Sequence, residues 1–131
     1  MQHVYERAQE VFEEVWVATD DERIAETVER FGGKVVMTSS AHKSGTDRCR
    51  EAVQKTALRP DVVVNIQGDE PFVHPEQLRA LCQCFEDEST QIATLVKPFT
   101  PDMGLEALKN PNSPKVVVGQ QQQALYFSRS V

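Results

Sequence analysis

Apolar residues recur at helical spacing over residues 2–13, where Val4, Ala8, Val11 and Phe12 share one face. The next apolar run is of a different kind. V-W-V-A-T at 15–19 is β-branched and almost wholly apolar, the pattern of a strand buried on both faces. Helical period returns over 21–31, with Thr19 and Glu22 spaced as a capping box and Gly32-Gly33 as a stop. K-V-V-M-T at 34–38 reads as a second strand. A polar loop, 39–46, leads into a helix that runs to about residue 57, before Pro60. V-V-V-N-I at 62–66 is the most apolar strand candidate. Pro75 then opens a helix over 75–86, and I-A-T-L-V at 92–96 reads as a fourth strand.

Beyond residue 96 the pattern changes. Four prolines, Pro98, Pro101, Pro111 and Pro114, leave room for one short helix near 103–109. K-V-V-V at 115–118 and A-L-Y-F-S at 124–128 flank G-Q-Q-Q, the arrangement of a hairpin. One face of that hairpin, through Tyr126 or Phe127, is expected in a core, as is Trp16.

Strands that alternate with helices and read as continuous Val/Ile runs imply an α/β domain. The expectation is a doubly wound, Rossmann-like, mainly parallel sheet with helices on both faces. Such sheets bind ligands beyond the carboxyl ends of their strands. That rule selects Thr19-Asp20, residues 38–46 and residues 67–71 before any motif is considered. Asp20 itself is read as a helix cap.

The 131 residues suit one ordinary domain or part of a larger one, and 40% hydrophobic with 26% charged residues is globular rather than disordered. The net charge of −6 disfavours binding to nucleic-acid phosphates, which needs a basic face. No apolar run reaches the roughly 20 residues of a membrane span, and the first 15 residues lack the apolar stretch of a signal peptide. Cys49, Cys82 and Cys84 are odd in number and lack a zinc spacing, so reduced thiols in the cytoplasm are expected. No glycine-rich phosphate loop of the G-x-G-x-x-G or G-x-x-x-x-G-K-[ST] type occurs.

Two segments carry candidate chemistry. In Q-G-D-E-P, 67–71, a buried strand delivers Gln67 and Asp69 to the ligand edge, and Gly68 lets a ligand approach the backbone. A single carboxylate there can hold Mg²⁺, which takes one or two protein carboxylates plus phosphate oxygens. Spacing alone favours the plainer reading, a polar turn with Asp69 or Glu70 merely solvated. In H-K-S-G-T-D-R, 42–48, Ser44 caps a helix with Asp47 three residues on. The N–H groups of Gly45 and Thr46 are then free for acceptors, with Lys43 and Arg48 adding positive charge. A capped helix beside a solvated basic pair is the plainer alternative.

Taken together, H-x-S-G-T-[DE]-R followed by a strand ending N-[IV]-Q-G-D-E-P resembles the 3-deoxy-manno-octulosonate (KDO) cytidylyltransferase family. V-W-V-A-T-D-D, G-G-K-V-V-M-T and N-P-N-S-P-K-V-V…A-L-Y-F-S-R are similar to it too, so the resemblance runs along the whole chain. It implies a fold of the nucleotide-diphospho-sugar transferase type. The implied reaction transfers CMP from CTP to the 2-hydroxyl of KDO and releases pyrophosphate, for lipopolysaccharide synthesis. Asp69 would be the catalytic carboxylate that coordinates Mg²⁺, and Gln67 a contact to the sugar acid. Ser44 and Gly45 would read the cytosine ring, with Arg48 beside them. The full-length enzyme would be a cytoplasmic homodimer without nucleic-acid or membrane partners.

Two parts of the family pattern have no match: an opening strand and loop like I-P-A-R-x-x-S-x-R-L-P-G-K-P-L, and the C-terminal half with its second metal-binding Asp. The chain is therefore expected to be the central part, 1–131, of a single nucleotidyltransferase domain, with little turnover alone and a tendency to self-associate. The competing readings are a non-catalytic nucleotide-binding module and a cytidylyltransferase for another acid sugar.

Overall fold

The apolar face at the start of the chain becomes helix α1, Gln2–Gln9, which buries Val4, Tyr5 and Ala8; it stops short of the 2–13 expected, and Val11 and Phe12 pack on the core from the turn that follows. A computed structural model describes residues 1–131, and they fall into two units, Met1–Ala93 and Thr94–Val131. In the first unit, strand β1 (Val17–Thr19) and strand β2 (Val35–Met37) pair in parallel, with Val17 opposite Val35. The ladder is extended at both ends, by Val17 N–H to the Lys34 carbonyl (2.9 Å) and Thr38 N–H to the Thr19 carbonyl (2.8 Å).

Helix α2, Glu22–Arg30, connects the two strands, the crossover that a parallel pair requires. Its cap is Asp21, whose side chain accepts the Arg23 N–H. Neither the expected Thr19–Glu22 box nor an Asp20 cap forms. Thr19 is buried, and its hydroxyl accepts the Asp21 N–H (3.1 Å), which leaves Asp20 free of the helix. At the other end Gly32, at φ +79°, lets Gly33 N–H reach the Val28 carbonyl and Gly32 N–H the Glu29 carbonyl. Together these two bonds close a Schellman motif. Val28 is fully buried against Tyr5 and Val17, with Phe31 packed at the edge of the same cluster. The Tyr5 hydroxyl donates to the Val15 carbonyl (3.2 Å) and accepts the Lys34 N–H (3.0 Å), tying α1 to the starts of both strands.

Helix α3, Gly45–Thr56, lies against both strands, and helix α4, Pro75–Gln83, packs on α1. Val4, Val73 and Leu78 form a second cluster there, with Val64 and Ile66 at its edge. A 3₁₀ turn, Cys84–Glu86, ends α4, so its helical run is shorter than the 75–86 expected. The α/β class read from the sequence holds.

The sheet, however, is smaller than expected. Residues 62–66 form no ladder, and their burial alternates, with Val62, Val64 and Ile66 half-buried while Val63 is 50% exposed. The alternation is that of an extended strand. What is missing is a neighbour, because residues 61–66 make no backbone–backbone hydrogen bond at all. Residues 92–96 are not a strand either, and Ile92 is 89% exposed. A run of β-formers makes a strand only when another strand pairs with it. Trp16 also departs from expectation. It is 38% exposed, because Val17 takes the inward position and alternation turns its neighbour away. The Trp16 indole N–H donates to Glu14 (3.0 Å), and Lys34 sits over the ring.

The second unit is the expected hairpin with a short helix. Helix α5, Gly104–Lys109, precedes β3 (Lys115–Val118) and β4 (Ala124–Ser128), which pair antiparallel with Val117 opposite Tyr126. The turn closes through Gly119 N–H to the Gln123 carbonyl (2.8 Å), with Gln122 at φ +63°. Tyr126 and Phe127 are both exposed, so neither face of the hairpin is buried in a core. A two-stranded hairpin has too little surface to bury either face by itself.

Candidate functional site

Chain direction dictates where the site forms. Parallel strands place their carboxyl ends, Thr19-Asp20 and Met37-Thr38, on one edge, and α3 starts there. Ser44 is extended and caps α3, accepting the Asp47 N–H (3.1 Å) and donating its own hydroxyl to the Asp47 carboxylate (2.6 Å). The Ser44 cap is the one that the sequence suggested, but the second half of a capping box does not form, because the Asp47 carboxylate accepts the Ser44 hydroxyl rather than its backbone N–H. Gly45 follows as the first helical residue, so its N–H has no partner inside the helix.

Arg48 is one turn further along. Its guanidinium donates to the Thr38 hydroxyl (2.6 Å) and the Ser39 carbonyl (3.4 Å), and pairs with the Asp20 carboxylate at 3.2 Å. Arg48 therefore joins the carboxyl ends of β1 and β2. The sequence reading dismissed Asp20 as a cap and so missed this pair. Its only sequence signal was its place at the end of a strand.

Glu51 organises the loop before α3. Its two oxygens accept the Ser39 N–H at 3.0 and 3.2 Å, and it also pairs with His42 and with Lys55 (2.8 Å). These partners, Lys55 first, hold the Glu51 carboxyl far below its ordinary 4.5, at about 2. The spacing of Glu51 and Lys55 was visible as an i,i+4 pair, but the return of the loop onto Glu51 was not. Cys49, half-buried next to Arg48, has its thiol pushed up by burial, which the Arg48 charge partly opposes.

The second segment meets the first at Gly45. A Cβ on Gly45 would lie 3.3 Å from the Asn65 side-chain amide, so the start of α3 and the end of 62–66 are in contact. Residues 67–70 then turn, with Glu70 N–H bonded to the Gln67 carbonyl (3.2 Å). Gly68 packs against Met1, where a Cβ would come within 2.7 Å of the methionine side chain. Gln67 and Asp69 are exposed, and neither side chain has a hydrogen-bond or ion-pair partner within the chain. Both are free to engage a ligand.

The structure thus brings together Ser44, Gly45, Arg48 and the 65–69 turn along one edge. No group of three or more Asp, Glu, His or Cys residues is placed to hold a metal. Asp69 and its neighbour Glu70 are exposed carboxylates in that turn. That fits an ion of the Mg²⁺ kind, which arrives on phosphates and takes one or two protein carboxylates, and it does not fit a closed all-protein metal cage.

A family model described as "Cytidylyltransferase" matches residues 1–131. A protein of Phocaeicola vulgatus called 3-deoxy-manno-octulosonate cytidylyltransferase is 66% identical over 131 residues, covering 100% of this chain and 52% of that protein. Its namesake in Escherichia coli is 45% identical over 133 residues, covering 99% of this chain and 52% of that protein. Among solved structures, CMP:2-keto-3-deoxy-manno-octonic acid synthetase complexed with CTP is 46% identical. It superimposes with a TM-score of 0.88 over 98% of this chain and 52% of its own. The chain spans about half the length of the curated relatives it matches.

Proposed function

The chain belongs to the cytidylyltransferase family, and from that premise we propose that it carries the base-reading and metal-holding edge of an enzyme that activates KDO with CTP. In that reaction the sugar 2-hydroxyl attacks the α-phosphorus of CTP, CMP becomes bonded to the sugar oxygen, the hydroxyl proton is released, and pyrophosphate departs. The observation that carries the reading is the meeting of the two motifs at Gly45 and Asn65, at the carboxyl ends of the parallel strands.

Gly45 presents an unpaired helix N–H, a donor suited to cytosine N3 or O2, and the Ser44 hydroxyl, its proton given to Asp47, keeps a lone pair that accepts an amino group such as that of cytosine but does not pair with a uracil carbonyl. Arg48 holds the loop and both strand ends in register, so its part is to position that edge. Gln67, unpartnered and exposed, offers an amide to the hydroxyl or carboxylate groups of the acid sugar. Asp69 would hold Mg²⁺, which when bound supplies charge neutralisation at the phosphates. The triphosphate grip is left unassigned within these residues. The chain alone is proposed to bind nucleotide weakly and to turn it over little.

No helix is long and apolar enough to cross a membrane, and all three cysteines are free thiols. The proposed enzyme works in the cytoplasm, where CTP is available, as a homodimer that supplies lipopolysaccharide synthesis.

Amide chemical-shift mapping on the 131-residue chain tests the base assignment. CTP with Mg²⁺ is expected to move the Ser44, Gly45 and Arg48 amides, and UTP to move them several-fold less. Equal responses to both nucleotides, or none to either, would overturn it.

A further inference from the structure

Ser44, the cap of α3, and Arg48, Glu51 and Lys55 within it follow one another at alternating steps of four and three, so they share one helix face. Each of the three charged side chains reaches back to the segment that enters the helix. Arg48 donates to the Thr38 hydroxyl (2.6 Å) and the Ser39 carbonyl (3.4 Å). Glu51 accepts the Ser39 N–H and pairs with His42. Lys55 donates to the Met37 carbonyl (2.8 Å), at the end of β2, and to Glu51 (2.8 Å). Both backbone groups of Ser39 are thus held by side chains of α3.

Residues 39–43 have little else to hold them. They make no backbone–backbone hydrogen bond, and within the loop only the Ala41 N–H bonds to the Ser39 hydroxyl (3.1 Å). A segment bonded so sparsely opens at small cost unless side chains order it. It runs directly into Ser44 and Gly45. A binding edge that is in place for only part of the time weakens its ligand by that fraction. Glu51 is the centre of the stripe, a carboxylate between the Arg48 and Lys55 cations. One of its oxygens takes Lys55 and the other His42, and both face the Ser39 N–H. With its side chain 19% exposed and both oxygens engaged, it has no acceptor left for a ligand and can act on one only through the loop.

We propose that Glu51 is a positioning residue for the nucleotide site: it orders residues 39–43 so that Ser44 and Gly45 are set in advance for the base, and Lys55 braces it from the next turn. This rests on the assignment of the base to Ser44 and Gly45. It adds a determinant of base selectivity that lies about two helical turns from the cap and touches no ligand. The consequence is selective. A disordered loop weakens a nucleotide that needs the Ser44–Gly45 edge and spares one that does not use it, whereas a general loss of folding weakens both alike.

Calorimetric affinities for CTP and UTP in the presence of Mg²⁺ test it, on the wild-type chain, Glu51→Gln and Lys55→Met. Gln keeps the length of the side chain, but its single carbonyl oxygen cannot serve Ser39, His42 and Lys55 together. The wild-type chain is expected to bind CTP several-fold tighter than UTP. In Glu51→Gln, CTP binding should weaken by about threefold or more, the scale of one lost hydrogen bond, with UTP binding unchanged. Lys55→Met should shift the ratio in the same direction by less. Amide exchange on the same proteins follows the cause: Ser39 should exchange faster in Glu51→Gln, while Val17, bonded to Lys34 beside the β1–β2 ladder, stays protected. Where Glu51→Gln loses the Val17 protection, Lys55→Met decides, because that side chain is half exposed. A wild-type preference for CTP that persists in both variants, or equal weakening of both nucleotides, would overturn the positioning role and leave the base assignment standing. A wild-type chain with no preference for CTP would overturn the base assignment and this role with it.

Discussion

Glu51 holds the backbone N–H of Ser39 between its two carboxylate oxygens, at 3.0 and 3.2 Å, while also pairing with His42 and Lys55. One helical side chain thereby fixes both ends of the loop that leads to the Ser44 cap. Glu51→Ala should speed amide exchange at Ser39 and loosen the loop while leaving the β1–β2 ladder protected. An exchange rate at Ser39 that changes less than about threefold would show that the loop is held by other contacts.

The same carboxylate sets a pH dependence. Its folded value, about 2, is below its ordinary 4.5. The contribution is therefore complete above 4.5 and is lost as pH falls toward and through about 2. Loop order, read from the Ser39 amide resonance, should fade over that acid window. In Glu51→Gln the acid-dependent change should be absent. Its persistence would place the titrating group elsewhere.

Tyr5 links three elements with one hydroxyl and is 5% exposed. Tyr5→Phe keeps the ring packing with Phe31 but leaves the Val15 carbonyl and Lys34 N–H without that partner. A loss of about 1–3 kcal/mol in unfolding free energy is expected. Denaturant titration measures it, and a change under about 0.5 kcal/mol would mean that water replaces the hydroxyl at both groups.

Gly45 separates structural from functional roles. Gly45→Ala places a methyl group 3.3 Å from the Asn65 amide, which has a flexible end that can shift. The gain in helix propensity, up to about 1 kcal/mol, offsets that crowding, so stability should barely move. If the base approaches Gly45 as proposed, CTP binding should fall by about tenfold (about 1.4 kcal/mol;). Unchanged CTP affinity would take Gly45 out of the nucleotide site.

Much of this was legible in the sequence because it is local. Ser44 and Asp47 cap α3 within four residues, Gly32-Gly33 close α2, and Gly119 to Gln123 turn the hairpin. Elements with their own periodicity, α1 to α5, lie where that periodicity put them, to within a turn. What the pattern could not carry was pairing between distant segments. Val62 to Ile66 have the composition of a central strand, yet a strand exists only through its neighbours. Residues 92–96 went wrong for the same reason. Asp20 with Arg48, and Ser39 with Glu51, are contacts across 28 and 12 positions that no local spacing announces. The family resemblance supplied the roles of Gln67 and Asp69, and the structure adds that both side chains are unpartnered and exposed.

Asp69 is the point on which the proposed chemistry turns, and Mg²⁺-dependent CTP binding to wild-type chain and Asp69→Asn measures it most directly. Asn keeps the size and removes the charge, and an exposed, unpartnered turn carboxylate contributes little to folding. By calorimetry, Mg²⁺ in place of chelator should tighten CTP binding to the wild-type chain by about tenfold or more (about 1.4 kcal/mol;). In Asp69→Asn that Mg²⁺ dependence should vanish, while the preference for CTP over UTP remains. A Mg²⁺ effect of the same size in Asp69→Asn would contradict the account and leave Asp69 as a turn residue.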